Sequence, residues 1–336
     1  MRGPEASDGA VRRNVEIGAG STRAGGVPTG RGAATGGARS ERRPVSLELP
    51  VIRKEMVVGY RLQTEWSWLI AAAFFLGKVG AGLFAVSLLI DYPAGAFVGL
   101  LIAEVGKGTA HLLFLGRPER FWRVLLRPQT SWISRGLWGM LVMAVSGAVY
   151  LATTLGWITL SGPSFDLLLA VCYLSALVVM VYDGFVLRAS PAIPIWRSAL
   201  VPVMALSYSL LGGVTLATVL PHVLPGDGPG RSLSEYLEVT LLVTNLVLMV
   251  AYLLVMASSA PAARRAVRQM VRGSWAFIFL GGAVGVGLLV SLVLALYISA
   301  TGSTAPLAAL ALTDMLGHFL VFFVLLRSGL YSPVAP

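Results

Sequence analysis

Residues 67–90 read SWLIAAAFFLGKVGAGLFAVSLLI. A single lysine is the only charge in a run long enough to cross a bilayer, which takes about 20 apolar residues. The run is apolar all round, without the one-sided stripe of a surface helix or the alternation of a half-buried strand. Seven further stretches of the same kind follow, near 94–115, 132–156, 165–187, 197–220, 235–258, 275–300 and 305–328. Lipid permits only helices or closed barrels to span it, and continuous apolar runs argue against a barrel. The expected fold class is all-α: a polytopic membrane protein with eight transmembrane helices. Small residues within the runs (Gly77, Gly80 and Gly82; Gly281, Gly282, Gly285 and Gly287) fit close helix contact.

Composition agrees. Of 336 residues, 56% are hydrophobic and only 12% charged, about half the charge of a soluble chain. A soluble two-domain enzyme and a disordered scaffold are both excluded. The net charge of +10 resembles a nucleic-acid signal until the basic residues are located. Of the 26 Lys and Arg, 23 fall in the N-terminal segment, the connections 116–135, 188–197 and 259–274, and the C-terminal end, all on one face. The other face carries Arg231 alone, while Lys78 and Lys107 lie within helices. This asymmetry orients a membrane protein and calls for no nucleic acid. It predicts a multi-pass membrane protein with both termini and the 116–135 loop cytoplasmic. Cys172, the single cysteine, makes no internal disulfide or cluster, so any iron–sulfur site belongs to a partner.

Residues 1–47 are rich in Gly and Arg without hydrophobic period, and are expected to be a disordered basic tail. Met56, just before the first span, is an alternative start to Met1. Residues 48–66 form an interfacial approach, with Trp66 and Trp68 as headgroup anchors.

Ionisable side chains inside a bilayer are costly and point to function. Here they are Lys78 in the first helix, Glu104, Lys107 and His111 in the second, Asp183 beside Tyr182 in the fourth, and Asp314 and His318 in the eighth, with the neutral Asn245 in the sixth. At 1.5 Å per residue, Lys78 and Glu104 reach similar depth near the midplane. Either they form an ion pair that orders packing, or Lys78, Glu104 and Lys107 belong to a proton route towards His111. Glu104, Lys107 and His111, spaced three and four apart, share a helix face; Asp314 and His318 share another. His111, Tyr182 and Asp183 converge near one membrane surface, where imidazole and phenol suit the carbonyls of a quinone and the carboxylate suits proton exchange. The plainer alternative for His111 is an interfacial histidine with a backbone partner. Asp183 sits unfavourably near a helix C-terminus, so Arg188 or Arg135 is expected to compensate it. Three histidines at different depths do not favour a bis-histidine haem, and no metal-ligand spacing or catalytic motif stands out.

The segment HLLFLGRPERFWR over 111–123, the segment TSWISRG over 130–136 and the glycine-rich FLGKVGAGLF over 75–84 resemble the NrfD/PsrC family of polysulfide-reductase-like membrane subunits. The resemblance covers residues 60–330. It implies two four-helix bundles, here 67–187 and 188–330, and a haem-free subunit that takes menaquinone or ubiquinone. It further implies a ferredoxin-like iron–sulfur subunit as partner, usually wired to a molybdopterin catalytic subunit. The loop 116–135 is then the docking surface, through Arg117, Arg120, Trp122, Arg123, Arg127, Trp132 and Arg135. The chain departs from the polysulfide-reductase branch in Ile70–Phe74, which lacks the histidine and asparagine that help hold quinone there. That branch also carries its soluble subunits outside the cytoplasmic membrane, whereas charge here places the docking face inside. The implied function is electron exchange between the iron–sulfur partner and membrane quinone, with proton movement through Lys78, Glu104, Lys107, Asp314 and His318. A stand-alone secondary transporter and a purely structural anchor are the alternatives.

Overall fold

A computed structural model describes residues 59–333. The tail over 1–47 and the alternative start at Met56 lie outside the described residues. Among the described residues, eight helices are long and apolar enough to cross a membrane: α1 (Trp68–Leu89), α2 (Pro93–Phe114), α3 (Trp132–Thr154), α4 (Pro163–Arg188), α5 (Leu200–His222), α6 (Arg231–Ala257), α8 (Phe277–Thr301) and α9 (Leu307–Arg327). Prolines at the first turns of α2 and α4 start those helices where a missing N–H costs nothing. Ser131 caps α3 by accepting from the Ser134 N–H at 3.3 Å.

Each of the first four spans packs on the next, and α4 returns to α1. The same ring closes from α5 through α6, α8 and α9. These are the two four-helix bundles, joined chiefly where α1 lies against α5. That contact brings backbone to backbone: a Cβ at Gly82 would meet the Ser209 carbonyl, and one at Gly213 the backbone of Gly82. Consequently α1 and α5 are the most buried spans, and α2, α4, α6 and α8 the least.

Two features were not expected. The basic connection after α6 folds as a helix, α7 (Pro261–Arg272), with Ala262, Ala263, Ala266 and Met270 buried and Arg264, Arg265, Arg268 and Arg272 on its other positions. Its apolar positions are small and mostly alanine, so hydropathy alone does not reveal it. A two-residue strand β1 (Arg61–Leu62) also pairs antiparallel with β2 (Leu330–Tyr331). Beside it, Gln63 Nε2 donates to the Leu326 carbonyl at 3.0 Å and Trp196 Nε1 to that of Leu325 at 2.9 Å. Both bonds reach carbonyls of the last turn of α9, where the helix runs out of donors; that of Leu326 also accepts from the Gly329 N–H at 3.2 Å. The strand pair, α7 and the α2–α3 and α4–α5 connections all lie on one side, the arginine-rich or basic face.

The second span is not a uniform α-helix. Residues Leu101–Lys107 form a wide π turn, as does Phe277–Val290 in α8. Such turns rotate side chains away from regular α spacing and cluster at functional sites.

Candidate functional site

Three charges from three helices meet inside the first bundle. Asp183 Oδ2 on α4 accepts from Lys107 Nζ on α2 at 2.8 Å and from Lys78 Nζ on α1 at 3.3 Å, and all three side chains are fully buried. Each ammonium also donates to a carbonyl of α1, Lys78 to Phe74 and Lys107 to Ala73, both at 3.3 Å. Aromatic faces complete the enclosure: Lys78 Nζ lies 4.1 Å from the Phe322 ring centroid, and Lys107 Nζ 4.6 Å from that of Tyr182. Gly77 makes the space, because a Cβ there would meet the Lys107 side chain.

This arrangement corrects two expectations. Lys78 pairs with Asp183 instead of Glu104, and Asp183 is balanced by two buried lysines instead of Arg188 or Arg135. Depth along a helix was the only guide to pairing, whereas α1 and α4 touch across the bundle and turn Lys78 towards Asp183. Glu104 lies within the π turn, and no ion pair joins it to Lys78 or Lys107 among the described residues. Among the described residues, the buried Glu104 Oε1 has no hydrogen-bond partner.

Glu104 instead lines a cavity of about 420 Å³ near the basic face, together with His111, Tyr182 and Asp183. The three residues expected to face a common ligand therefore share one wall system, and Glu104 joins them. The remaining lining is largely apolar, including Ile70, Phe74, Met140 and Val186. His111 Nδ1 lies 3.1 Å from the Lys107 carbonyl. The backbone contact foreseen for this histidine thus exists, and with Nδ1 as the donor it leaves Nε2 as an acceptor. Asp183 Oδ1 has no hydrogen-bond partner among the described residues either.

Above the cavity runs a 3-10 helix, Pro118–Leu126. Its Phe121 and Val124 line the cavity, while Arg117, Arg120, Trp122, Arg123 and Arg127 are exposed. The first turns of α3 hold it down: Ser134 Oγ donates to the Val124 carbonyl, and Trp138 Nε1 to that of Leu125 at 3.1 Å. Trp132 and Arg135, grouped with the docking residues from sequence, have internal contacts. Trp132 stacks on Phe185 with centroids 4.3 Å apart, and Arg135 donates to the Pro128 and Gln129 carbonyls, both at 2.8 Å. Arg135→Ala is expected to loosen this loop, read as faster proteolysis within 117–130 while the spans stay intact.

Asp314 and His318 share a face of α9 but have different neighbours. Asp314 Oδ2 on α9 lies 3.1 Å from Thr215 Oγ1 on α5, not against His318. His318 is held among rings, 5.0 Å from Tyr208 and 5.2 Å from Phe75, and both its nitrogens lack hydrogen-bond partners among the described residues. A shared helix face brings side chains near each other, but here neighbouring helices capture each first. Phe322 touches both His318 and the Lys78 ammonium, so a ring separates the two clusters. Sequence reasoning missed Glu238, whose carboxylate meets Thr215 from α6 at 2.8 Å. Its signal was a carboxylate inside the span expected from residue 235, near enough to the end to pass for an interfacial residue.

The sequence profile described as "Polysulphide reductase, NrfD" matches residues 57–334. The chain belongs to the NrfD family. It is 23% identical to "Protein NrfD" of Escherichia coli (strain K12) over 300 residues, covering 79% of this chain and 94% of that protein. It is 22% identical over 304 residues to "Protein NrfD homolog" of Haemophilus influenzae, with the same shares covered. A shorter match, 32% identical over 98 residues, links it to one of the sulfite dehydrogenase subunits of Allochromatium vinosum, covering 27% of this chain and 29% of that one. The NrfD-family assignment and the eight apolar helices among the described residues together make this a multi-pass membrane protein.

Proposed function

We propose that this chain is the quinone-reactive membrane subunit of an iron–sulfur oxidoreductase complex, and that the cavity on the basic face is its quinone site. The observation that carries this reading is the convergence of Glu104, His111, Tyr182 and Asp183 on one largely apolar cavity under a loop with an exposed basic surface. Its volume of about 420 Å³ falls within the usual range of small-molecule sites. Buried oxygens of Glu104 and Asp183 that lack partners among the described residues fit a ligand carrying hydroxyl groups.

A quinone, when bound, supplies a two-electron, two-proton couple. The protein's part is positioning and proton handling. His111 Nε2 and the Tyr182 hydroxyl are the candidate hydrogen-bond partners for the ring oxygens, and Glu104 the candidate group to receive or return a proton. The Lys78–Asp183–Lys107 cluster brings two ammonium groups against one carboxylate behind the wall, favouring negative charge that develops in the cavity. Lys78, Lys107, Asp314 and His318 remain the candidates for carrying protons further.

Electrons are proposed to arrive from, or leave to, a ferredoxin-like iron–sulfur subunit docked on the exposed arginines and Trp122, with a molybdopterin subunit behind it. The 3-10 helix presents that surface on one side and walls the cavity on the other, which keeps the path short. One matched protein's name, which places it in a sulfite dehydrogenase, supports a role in such a complex. The arginine excess supports a cytoplasmic position for this face in a prokaryotic inner membrane.

Purification of the native complex in mild detergent tests the reading. Iron, molybdenum or tungsten, and about one quinone per complex are expected to co-purify. His111→Ala and Glu104→Gln should then lower quinone-linked turnover by about 10²–10⁴-fold and deplete bound quinone, with assembly intact. A lone polypeptide without quinone, indifferent to quinone analogues, would reject it.

A further inference from the structure

A second polar site lies in the other bundle, near the opposite face. Thr215 on α5 stands between two carboxyl groups: its Oγ1 is 2.8 Å and 3.1 Å from the two oxygens of Glu238 on α6, and 3.1 Å from Asp314 Oδ2 on α9. The same hydroxyl lies 2.9 Å from the Leu211 carbonyl. Glu238 and Asp314 are 4% and 1% exposed, and no lysine or arginine among the described residues pairs with either.

A hydroxyl has one hydrogen to donate and two lone pairs to receive with, yet it faces two carboxyl groups and a carbonyl. If both carboxyls were ionised, every neighbour would be an acceptor, and two like charges would share one small group without a counter-ion. One added proton on either carboxyl removes the conflict, since that carboxyl then donates to Thr215 Oγ1 while Thr215 donates to another acceptor.

Two independent observations show that the pair is more than a cluster of acids. A vestibule of about 240 Å³, lined by Thr218, His222, Glu235 and Thr304 near the helix ends of the opposite face, has Thr215 and Glu238 in its wall. Behind the pair, Asp314 Oδ1 is buried without a partner among the described residues, and one turn further along α9 both nitrogens of His318 are likewise unpartnered. The vestibule thus reaches Glu238 from outside, and buried polar atoms without partners among the described residues lie on the inner side.

We propose that Glu238 and Asp314, bridged by Thr215 at the wall of this vestibule, bind one exchangeable proton taken from water on the face opposite the arginines. Water in the vestibule gives the proton to a carboxylate oxygen, leaving hydroxide, or hydronium gives it and leaves water. The proton passes between the two carboxyls through the Thr215 hydroxyl, which takes one hydrogen as it releases its own. The titratable and charged groups facing the pair are His222 and Glu235 in the vestibule, Tyr208 on α5, and His318 on α9, with Lys78 beyond His318. The proposal stands on the geometry of the second bundle and does not depend on the quinone reading.

Dicyclohexylcarbodiimide tests it on the unaltered chain in sealed membrane vesicles. The reagent reacts with a protonated carboxyl in apolar surroundings: the acid's proton moves to a carbodiimide nitrogen and its oxygen adds to the central carbon, giving an adduct found by peptide mass. Glu238 is expected to be modified, and modification to fall as pH rises on the vestibule side but not when it rises on the arginine side. Glu238→Gln should remove the adduct, and Asp314→Asn should change the pH at which labelling is lost. No adduct on a folded chain, or one insensitive to vestibule-side pH, would overturn the proposal. So would protection by sodium at constant pH, because the pair would then hold a metal cation. Quinone content measured on the same vesicles separates failure here from failure at the other site.

Discussion

Asp183→Ala is expected to destabilise the protein more than any other single change at the site, by about 3–5 kcal/mol, the usual loss when one partner of a buried ion pair is removed. Both ammonium groups would stay buried, with only the carbonyls of Phe74 and Ala73 to bond. A loss of that size is a large share of the ~5–15 kcal/mol that holds a domain folded. The measurement is the thermal unfolding midpoint in detergent, together with the yield of monodisperse chain. Asp183→Asn keeps an oxygen acceptor and should fall between wild type and alanine. Replacing all three charges, with Lys78→Met, Lys107→Met and Asp183→Leu, should recover much of the stability, because apolar replacements of similar volume avoid burying charge. Function at the cavity would not return with it. An unchanged midpoint in Asp183→Ala would mean that the two lysines do not depend on this carboxylate.

Gly82→Val is expected to disrupt the join between the two bundles. The new Cβ would fall on the Ser209 carbonyl, where rigid backbone of α5 leaves nothing to rotate aside. Overpacking of a well-filled core costs about 1–3 kcal/mol, and occasionally more; a backbone obstacle on the most buried span points to the upper end. Gly281→Ala provides the contrast. A Cβ there meets only the Phe277 ring at 3.9 Å, so the change should be tolerated. The same unfolding assay decides, with equal midpoints for the two variants counting against a tight α1–α5 contact.

The cavity residues show how far local spacing can be followed. His111, Tyr182 and Asp183 were legible because polar groups near one end of apolar helices are costly and few, and the structure does gather them on one cavity. Their partners were not. Lys78 and Asp183 are 105 positions apart, and Lys107 and Asp183 are 76 apart. Depth offers Lys78 as one possible partner of Glu104, but Glu104 lines the cavity while Lys78 pairs with Asp183. Glu238 was passed over because one carboxylate near a helix end has no meaning until Thr215 and Asp314 are beside it.

The spans, their number, the face that carries the arginines, and the residues that lipid would not tolerate without a reason are all legible along the chain. Each of these follows from transfer of a segment between water and hydrocarbon, a property the segment carries alone. Which charges meet, which helix end is a loop clamp and which a vestibule, and that a glycine seam joins the bundles emerge only once the helices are packed. Those outcomes depend on the rotation of each helix about its axis. That rotation is set by close packing against neighbours far away in the chain, to which hydropathy along a single helix is blind.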